Sequence, residues 1–130
     1  MLTAGVMNQP IAGLRLFVVE DEALVAMLLE DMLADLGCTV VDVVGTIRDA
    51  LGRLGDTVAD GAVLDVNIGG EKVFPVADAL AERGLPFVFA TGYGRAGLDQ
   101  RYPTAPVLTK PYSSDELANV LVTFRDRPER

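Results

Sequence analysis

The sequence predicts an α/β fold, a doubly wound parallel β-sheet with helices on both faces, and three observations predict it. Short and almost continuously apolar runs, typical of strands buried on both sides, alternate with longer segments of helical spacing. This strand and helix pair repeats five times along the chain. The 130 residues, of which 50% are hydrophobic, suffice for one compact domain and are too few for two ordinary ones.

The first two strand and helix units follow one another near the start of the chain. LRLFVV at 14–19 predicts the first strand, and 23–36 predicts a helix that ends at Gly37, where a left-handed conformation costs little. TVVDVV at 39–44 predicts the second strand. Thr46 is then expected to cap a short helix. The apolar residues of this helix fall on one face, at Ile47, Ala50, Leu51 and Leu54.

The third and fourth units are less regular. GAVLDV at 61–66 predicts a strand, followed by the loop NIGG and by a helix from about Pro75 to Arg83. PFVFA at 86–90 predicts the fourth strand. In the stretch 92–104, several glycines and a proline oppose a regular helix, so the fourth helix is predicted to be short or mobile.

The fifth unit closes the domain. PVLT at 106–109 predicts a strand, and Ser113 with Glu116 forms a capping-box pattern that opens the last helix. The apolar face of this helix comprises Leu117, Val120, Leu121 and Phe124. The rhythm of short strands and short helices fits a flavodoxin-like (βα)5 sheet with strand order 2-1-3-4-5.

The domain boundaries follow from the same pattern. We predict a folded domain at 14–125, preceded by a flexible leader at 1–13 that lacks periodicity and contains two glycines and a proline. The last five residues, 126–130, are predicted to be a solvated tail.

Composition excludes several classes of protein. With 19 acidic and 11 basic residues the net charge is -8, which argues against nucleic acid as a partner. No apolar run is long enough to span a membrane, and the first residues do not resemble a signal peptide. The lone Cys38 forms no internal disulfide, which suits a reducing cytoplasm. The absence of histidine excludes imidazole catalysis and most zinc sites.

Charged and polar residues stand at the carboxyl ends of four predicted strands, where sheets of this kind place their sites. These residues are Glu20, Asp21 and Glu22 after the first strand, Asp65 at the end of the third, Thr91 after the fourth and Lys110 after the fifth. Asp65 ends an apolar run, so its carboxylate needs a cationic partner. Asp21 and Asp65 would repel each other unless a divalent ion or Lys110 compensates their charge. Oxygen ligands alone favour Mg²⁺ over zinc or copper.

Four motifs carry a resemblance to a known family. VVEDEA, VLDVN, FATGY and TKPY, in this order, resemble the acid-pocket, phospho-acceptor, hydroxyl and lysine motifs of response-regulator receiver domains over roughly 14–125. The resemblance implies that Asp65 is the phospho-acceptor and that Thr91 and Lys110 contact the phosphoryl oxygens. It implies that Mg²⁺, with Mn²⁺ as an alternative, is held by Asp65. The further ligands that it implies are Asp21 directly, Glu20 through water and the Asn67 backbone carbonyl.

The same resemblance implies a role in two-component signal transduction. A histidine kinase or phosphotransfer protein would supply the phosphoryl group, and the domain would catalyse only its own phosphorylation and dephosphorylation. The domain would signal by protein contact through a surface near the fourth helix, the fifth strand and the last helix. It would act as a stand-alone monomer or weak dimer. Neither nucleic acid nor a membrane would be a partner. The Lys110–Pro111 bond resembles the cis peptide of the family.

The chain departs from the family at one position. Receiver domains commonly carry an aromatic residue three positions before the lysine, and this chain has Val107 there. FATGY and TKPY resemble a largely alphaproteobacterial subgroup of receivers, in which Tyr93 would replace the missing aromatic as the switch residue. In the simpler interpretation, Tyr93 and Tyr112 are half-buried packing residues with wet hydroxyls.

The sequence argues against two other functions and leaves two alternatives open. A phosphatase of the haloacid-dehalogenase class needs a second aspartate two residues after the nucleophile, and this chain has Asn67 at that position. A flavin phosphate would be repelled by the acidic run at 20–22. A pseudo-receiver that binds partners without phosphorylation, and a phosphate sink, stay as alternatives to the switch.

Overall fold

The computed structural model describes residues 11–125, and these residues form the predicted α/β fold. In chain order the elements are β1 (Arg15–Val19), α1 (Ala23–Asp35), β2 (Thr39–Val44), α2 (Ile47–Leu54), β3 (Gly61–Asp65), β4 (Asn67–Ile68), β5 (Glu71–Lys72), α3 (Phe74–Glu82), β6 (Phe87–Thr91), a 3₁₀ helix (Gly94–Leu98), β7 (Val107–Thr109) and α4 (Ser114–Arg125).

Five strands form one parallel sheet in the order β2-β1-β3-β6-β7. Once the two short strands β4 and β5 are set aside, this is the predicted order 2-1-3-4-5, which is confirmed. The register places Asp65 beside Ala90 and Thr91 beside Thr109. Asp65 and Thr91 therefore end neighbouring strands at the same edge of the sheet.

The sheet carries a hydrophobic core on each face, which explains why its strands are almost continuously apolar. Along β1, Phe17 and Val19 belong to the core covered by α2 and α3. Leu16 and Val18 belong to the core covered by α1 and α4. Successive side chains of a strand point to opposite faces, so both faces need apolar residues when both are covered.

Three predicted helix ends have the expected geometry. The Asp49 N–H donates to Thr46 Oγ1 at 3.0 Å at the start of α2. Before α4, the Glu116 N–H donates to Ser113 Oγ at 3.1 Å and the Ser113 N–H donates to Glu116 Oε1 at 2.8 Å, which completes a capping box. Beyond α1, Gly37 has a φ of 87°, the left-handed conformation that glycine adopts at low cost.

Two segments differ from a simple loop-and-helix description. The NIGG segment is part of a hairpin in which β4 and β5 pair antiparallel, with Asn67 opposite Lys72. Its tip is formed by Gly69 and Gly70, both at positive φ, as a tight hairpin turn requires. The fourth helix is short, as predicted, and consists of the 3₁₀ helix of five residues.

The predicted leader and tail lie largely outside the described residues. Of residues 1–13, only 11–13 are described; they form a turn, and Ile11 is buried. The Cys38 thiol is buried beside the Ile11 carbonyl, with 3.5 Å between Sγ and O. The tail at 126–130 is not described. Within 11–125, no helix is long and apolar enough to cross a membrane.

Candidate functional site

Three carboxylates meet at the edge of the sheet where β1 and β3 end. Oxygen atoms of Glu20, Asp21 and Asp65 all lie within 4.8 Å of one another. The Glu20 side chain is 4% exposed and that of Asp65 is 13% exposed, whereas Asp21 is exposed. The cluster therefore runs from a buried carboxylate to a solvent-facing one.

A single lysine bridges two of these carboxylates. Lys110 Nζ lies 3.3 Å from Asp65 Oδ1 and 3.4 Å from Glu20 Oε1. The backbone holds this lysine in place, because the Lys110 N–H donates to the Thr91 carbonyl at 2.9 Å. The Lys110–Pro111 peptide bond is cis. One ammonium faces three carboxylates, so the cluster retains negative charge when all are ionised.

The pKa of Glu20 is raised from 4.5 to about 7, and burial is the main cause. The Glu22 N–H, which donates to Glu20 Oε2 at 3.1 Å, opposes this shift. The negative charge of Asp65 raises the pKa further, and the Lys110 ammonium lowers it. An additional cation beside this carboxyl group would lower its pKa and favour its ionised form.

The hairpin of β4 and β5 is attached to the acidic cluster at its tip. The Gly69 N–H donates to Asp21 Oδ2 at 2.8 Å. Asn67, whose backbone carbonyl was predicted to bind metal, lies in β4 two residues after Asp65, and its side chain is exposed. The hairpin thus begins at the end of β3 and returns to the carboxylate that follows β1.

The Thr91 hydroxyl lies at the end of β6 beneath the 3₁₀ helix. Thr91 is 1% exposed, and its Oγ1 accepts the Tyr93 N–H at 3.1 Å. Gly97 passes directly over this oxygen, since a Cβ at Gly97 would lie 2.8 Å from Thr91 Oγ1. The hydroxyl is therefore already packed and hydrogen-bonded beside the site.

The donor set fits a magnesium ion. All three carboxylates offer oxygen, the ligand type that Mg²⁺ prefers. Ligands at about 2.1 Å from an octahedral ion lie at most about 4.2 Å apart, close to the spread of these oxygens, and Mg²⁺ commonly retains several waters. Small side-chain movements, or a water between Glu20 and the ion, would complete the coordination.

Tyr93, the predicted switch residue, and Val107, which occupies the family's usual aromatic position, lie in different surroundings. Tyr93 is 74% exposed and precedes the 3₁₀ helix, so it is not a half-buried packing residue. Val107 is partly buried against the core on the α2 and α3 face. Tyr112 is partly buried, and burial raises its pKa to about 12. The switch role of Tyr93 stays a prediction.

Sequence reasoning missed Tyr102, an aromatic residue that packs against the same core as Val107. The Tyr102 ring lies 5.4 Å from the Phe87 ring and 5.6 Å from the Phe89 ring, centroid to centroid. Its hydroxyl donates a hydrogen bond to the Asp78 carboxylate in α3. The only signal in the sequence was the Phe-x-Phe pair of β6, which predicts two rings on one face of the sheet but not their partner.

Comparison with known proteins supplies the family. No protein-family model and no curated protein matches the chain. SdrG from Sphingomonas melonis Fr1 is 48% identical in sequence, with 86% of this chain and 96% of SdrG covered and a TM-score of 0.77. The BeF3-activated conformation of SdrG from Pseudomonas melonis Fr1 is 48% identical, with 87% and 98% covered and a TM-score of 0.74.

Two more distant structures share the fold. A response regulator receiver protein from Sinorhizobium medicae WSM419 is 23% identical, with 88% of this chain and 95% of that chain covered and a TM-score of 0.77. The receiver domain of the sensor histidine kinase PA1611 from Pseudomonas aeruginosa PAO1 is 21% identical, with 89% and 100% covered and a TM-score of 0.77. That domain has a magnesium ion coordinated in its active site cleft. The present chain belongs to the receiver domains of response regulators.

Proposed function

We propose that this receiver domain accepts a phosphoryl group on Asp65 from a histidine kinase or phosphotransfer protein, and that it signals by protein contact. The observation that carries this proposal is the position of the Lys110 ammonium, 3.3 Å from Asp65 Oδ1 within the carboxylate cluster. The fixed ammonium beside Asp65 can neutralise charge on the phosphoryl oxygens during transfer. The two further carboxylates can hold a divalent metal ion that does the same.

The transfer is a displacement at phosphorus. An oxygen of Asp65 forms a bond to the phosphorus of the donor's phosphohistidine, the bond from phosphorus to the histidine nitrogen breaks, and that nitrogen keeps the electron pair. Lys110 neutralises charge on the phosphoryl oxygens, and the Thr91 hydroxyl donates to one of them. The domain catalyses only this reaction and the hydrolysis of the resulting acyl phosphate.

Magnesium is the metal that we propose for this site. Asp65 and Asp21 would hold it directly, Glu20 through water, and the Asn67 carbonyl would add a ligand. The ion would supply positive charge for the phosphoryl oxygens. The oxygen donor set is compatible with this choice, and the magnesium in the PA1611 receiver domain supports it over the Mn²⁺ alternative.

The phosphodonor is proposed to dock on α1. Three large apolar side chains lie exposed on this helix, Leu24 at 69%, Met27 at 57% and Leu28 at 57%, and their spacing places them on one face. The helix begins two residues after Asp21 and contains no lysine or arginine. A donor helix with apolar residues flanked by basic ones would complement this face and approach Asp65.

Beryllofluoride with Mg²⁺ tests the proposal, because it imitates a phosphoryl group on an aspartate. We expect amide shifts around Asp65, Thr91 and Lys110 in the wild-type protein, and none in Asp65→Asn. A small phosphodonor should label the wild-type protein and leave Asp65→Asn unlabelled. If the wild-type protein responds to neither reagent, the switch is excluded and the phosphorylation-independent adaptor is favoured.

A phosphate sink would share this chemistry and differ in output. Capture experiments with and without beryllofluoride separate the two roles. A switch predicts a protein that is retained only by the loaded domain, whereas a sink predicts no partner beyond the phosphodonor.

A further inference from the structure

A lysine outside the carboxylate cluster connects the hairpin that follows Asp65 to the 3₁₀ helix. Lys72 lies in β5, and its Nζ donates to the Gly97 carbonyl at 3.3 Å. The same ammonium lies 3.8 Å from Asp99 Oδ2, just after the 3₁₀ helix. The side chains of this ion pair are 41% and 63% exposed, so the pair itself contributes little and the carbonyl contact is the more specific one.

The carbonyl that Lys72 holds belongs to the residue that covers Thr91. Gly97 is buried, and its backbone approaches the Thr91 hydroxyl so closely that even a methyl group would not fit. Any movement of Gly97 therefore changes the surroundings of the Thr91 Oγ1 atom.

The hairpin that carries Lys72 follows Asp65 in the chain and is hydrogen-bonded to the acidic side of the site at its tip. Lys72 pairs with Asn67 across the hairpin, and Asn67 follows Asp65 by two residues. The tip of the hairpin binds Asp21 through the Gly69 N–H. The hairpin thus contacts the Asp21 carboxylate through its tip, and the Lys72 ammonium contacts Gly97, which covers the Thr91 hydroxyl.

We propose that Lys72 is a positioning residue that holds Gly97 over the Thr91 hydroxyl and couples the hairpin to the 3₁₀ helix. The 3₁₀ helix has five residues and no side-chain cap, and Arg95 ties it to carbonyls of the segment that follows it. Lys72 ties the same helix to the hairpin. A hydrogen bond from a charged donor is stronger than one between neutral groups, and this one acts directly on the Gly97 carbonyl. The positioning in the resting protein is independent of phosphorylation, whereas the coupling rests on the proposed function.

Amide hydrogen exchange in the resting protein tests the positioning. The Tyr93 N–H reports on the Thr91 hydroxyl that accepts it, and the Arg101 N–H reports on the Leu98 carbonyl at the end of the 3₁₀ helix. In Lys72→Met, which keeps the alkyl stem, we expect both amides to exchange about fivefold faster, the factor that corresponds to losing one hydrogen bond.

Three variants make the experiment specific. Lys72→Arg retains a charged donor and should restore wild-type exchange. Asp99→Asn removes only the ion pair and should leave exchange nearly unchanged. Glu71→Gln alters an exposed neighbour in the same hairpin and serves as the matched control. The positioning role is overturned if Lys72→Met exchanges at the wild-type rate, or if Lys72→Arg exchanges as fast as Lys72→Met.

Beryllofluoride with Mg²⁺ tests the coupling. We expect the Gly97 amide shift induced by the reagent to be smaller in Lys72→Met than in wild type, while the shift at Lys110 is unchanged. Equal responses at Gly97 in both proteins overturn the coupling. If the wild-type protein does not respond to beryllofluoride at all, the proposed function fails and the coupling fails with it. The exchange measurement still decides the positioning role of Lys72.

Discussion

Lys110 Nζ lies 3.3 Å from Asp65 Oδ1 and also contacts the buried Glu20 carboxylate. The positive charge of Lys110 therefore lies beside the site that, in the proposed function, binds both a divalent cation and a phosphoryl group. It attracts phosphoryl oxygens and repels the cation, so removing it should change the two affinities in opposite directions.

Replacing Lys110 with methionine should separate these two effects. We expect Lys110→Met to bind beryllofluoride at least about tenfold more weakly, because a hydrogen bond from a charged group is lost. The same variant should bind Mg²⁺ more tightly, because the cluster gains net negative charge. Both affinities can be measured by amide shifts during titration.

Lys110→Arg is the control for this pair of measurements. It keeps the charge and should leave Mg²⁺ affinity close to that of the wild-type protein. A fall in Mg²⁺ affinity in Lys110→Met would contradict the electrostatic account and would indicate that the lysine mainly shapes the pocket.

Most of this site could be predicted from the sequence because the fold places its residues by a simple rule. Glu20, Asp65 and Lys110 are separated by long stretches of chain, yet each follows or ends a strand of one parallel sheet. The carboxyl ends of parallel strands lie at one edge, so the strand pattern alone brings these residues together.

The hairpin and the position of Tyr102 depend on backbone conformations that the pattern does not encode. Gly69 and Gly70 were expected to form a loop, and pairing of only two residues on each side made the hairpin too short to recognise. Tyr102 has a φ of 54°, which is rare for an aromatic residue, and this conformation lies in a segment with no regular periodicity. Its partner Asp78 lies on a helix that is distant in sequence.

Two substitutions of Tyr102 should destabilise the domain to different extents, because they remove different interactions. We expect Tyr102→Phe to lower the free energy of unfolding by about 1 kcal/mol through loss of the hydrogen bond to Asp78. Tyr102→Ala should cost roughly 2 kcal/mol or more, because the packing against Phe87 and Phe89 is also lost. Tyr93→Ala, at an exposed position, should change stability by less than about 0.5 kcal/mol. Denaturant unfolding measures all three, and equal effects of the two alanine variants would show that the ring packing is unimportant.

A charge on the exposed face of α1 should impair transfer from a protein donor and spare transfer from a small one. We expect Met27→Glu to be labelled by a phosphorylated histidine kinase at least about tenfold more slowly than wild type, because the apolar contact is lost and the new carboxylate would have to be desolvated against the donor's apolar residues. Labelling by a small phosphodonor should not change, because the carboxylate cluster is intact.

Val58→Glu is the matched control, because Val58 is 67% exposed but lies outside α1. It should be labelled at the wild-type rate by both donors. Equal slowing of Met27→Glu with both donors would contradict docking on α1 and would indicate damage to the site itself.

The start of β1 is joined to the residue before β3 by an ion pair remote from the site. Asp60 accepts hydrogen bonds from the Arg15 side chain, at 3.1 Å from Nε and 3.0 Å from Nη2, and from the Arg15 N–H at 2.8 Å. The side-chain hydrogen bonds to Arg15 are the main reason that the pKa of Asp60 is lowered. A lowered carboxyl pKa stabilises the folded protein above the pKa of the unfolded chain, and this contribution disappears as the pH falls through the folded pKa.

Asp60→Asn should therefore destabilise the domain at neutral pH and lose its effect in acid. At pH 7 we expect the free energy of unfolding to fall by no more than about 1 kcal/mol, because Asp60 is partly exposed and solvent screens the pair. As the pH falls through the lowered pKa of Asp60, the wild-type carboxylate becomes protonated and the difference should shrink toward zero. Asp56→Asn, which changes an exposed carboxyl in the preceding loop, provides the comparison and should show neither effect. Denaturant unfolding across this pH range decides the matter, since a difference that persists unchanged in acid would mean that the carboxylate charge of Asp60 is not what stabilises the fold.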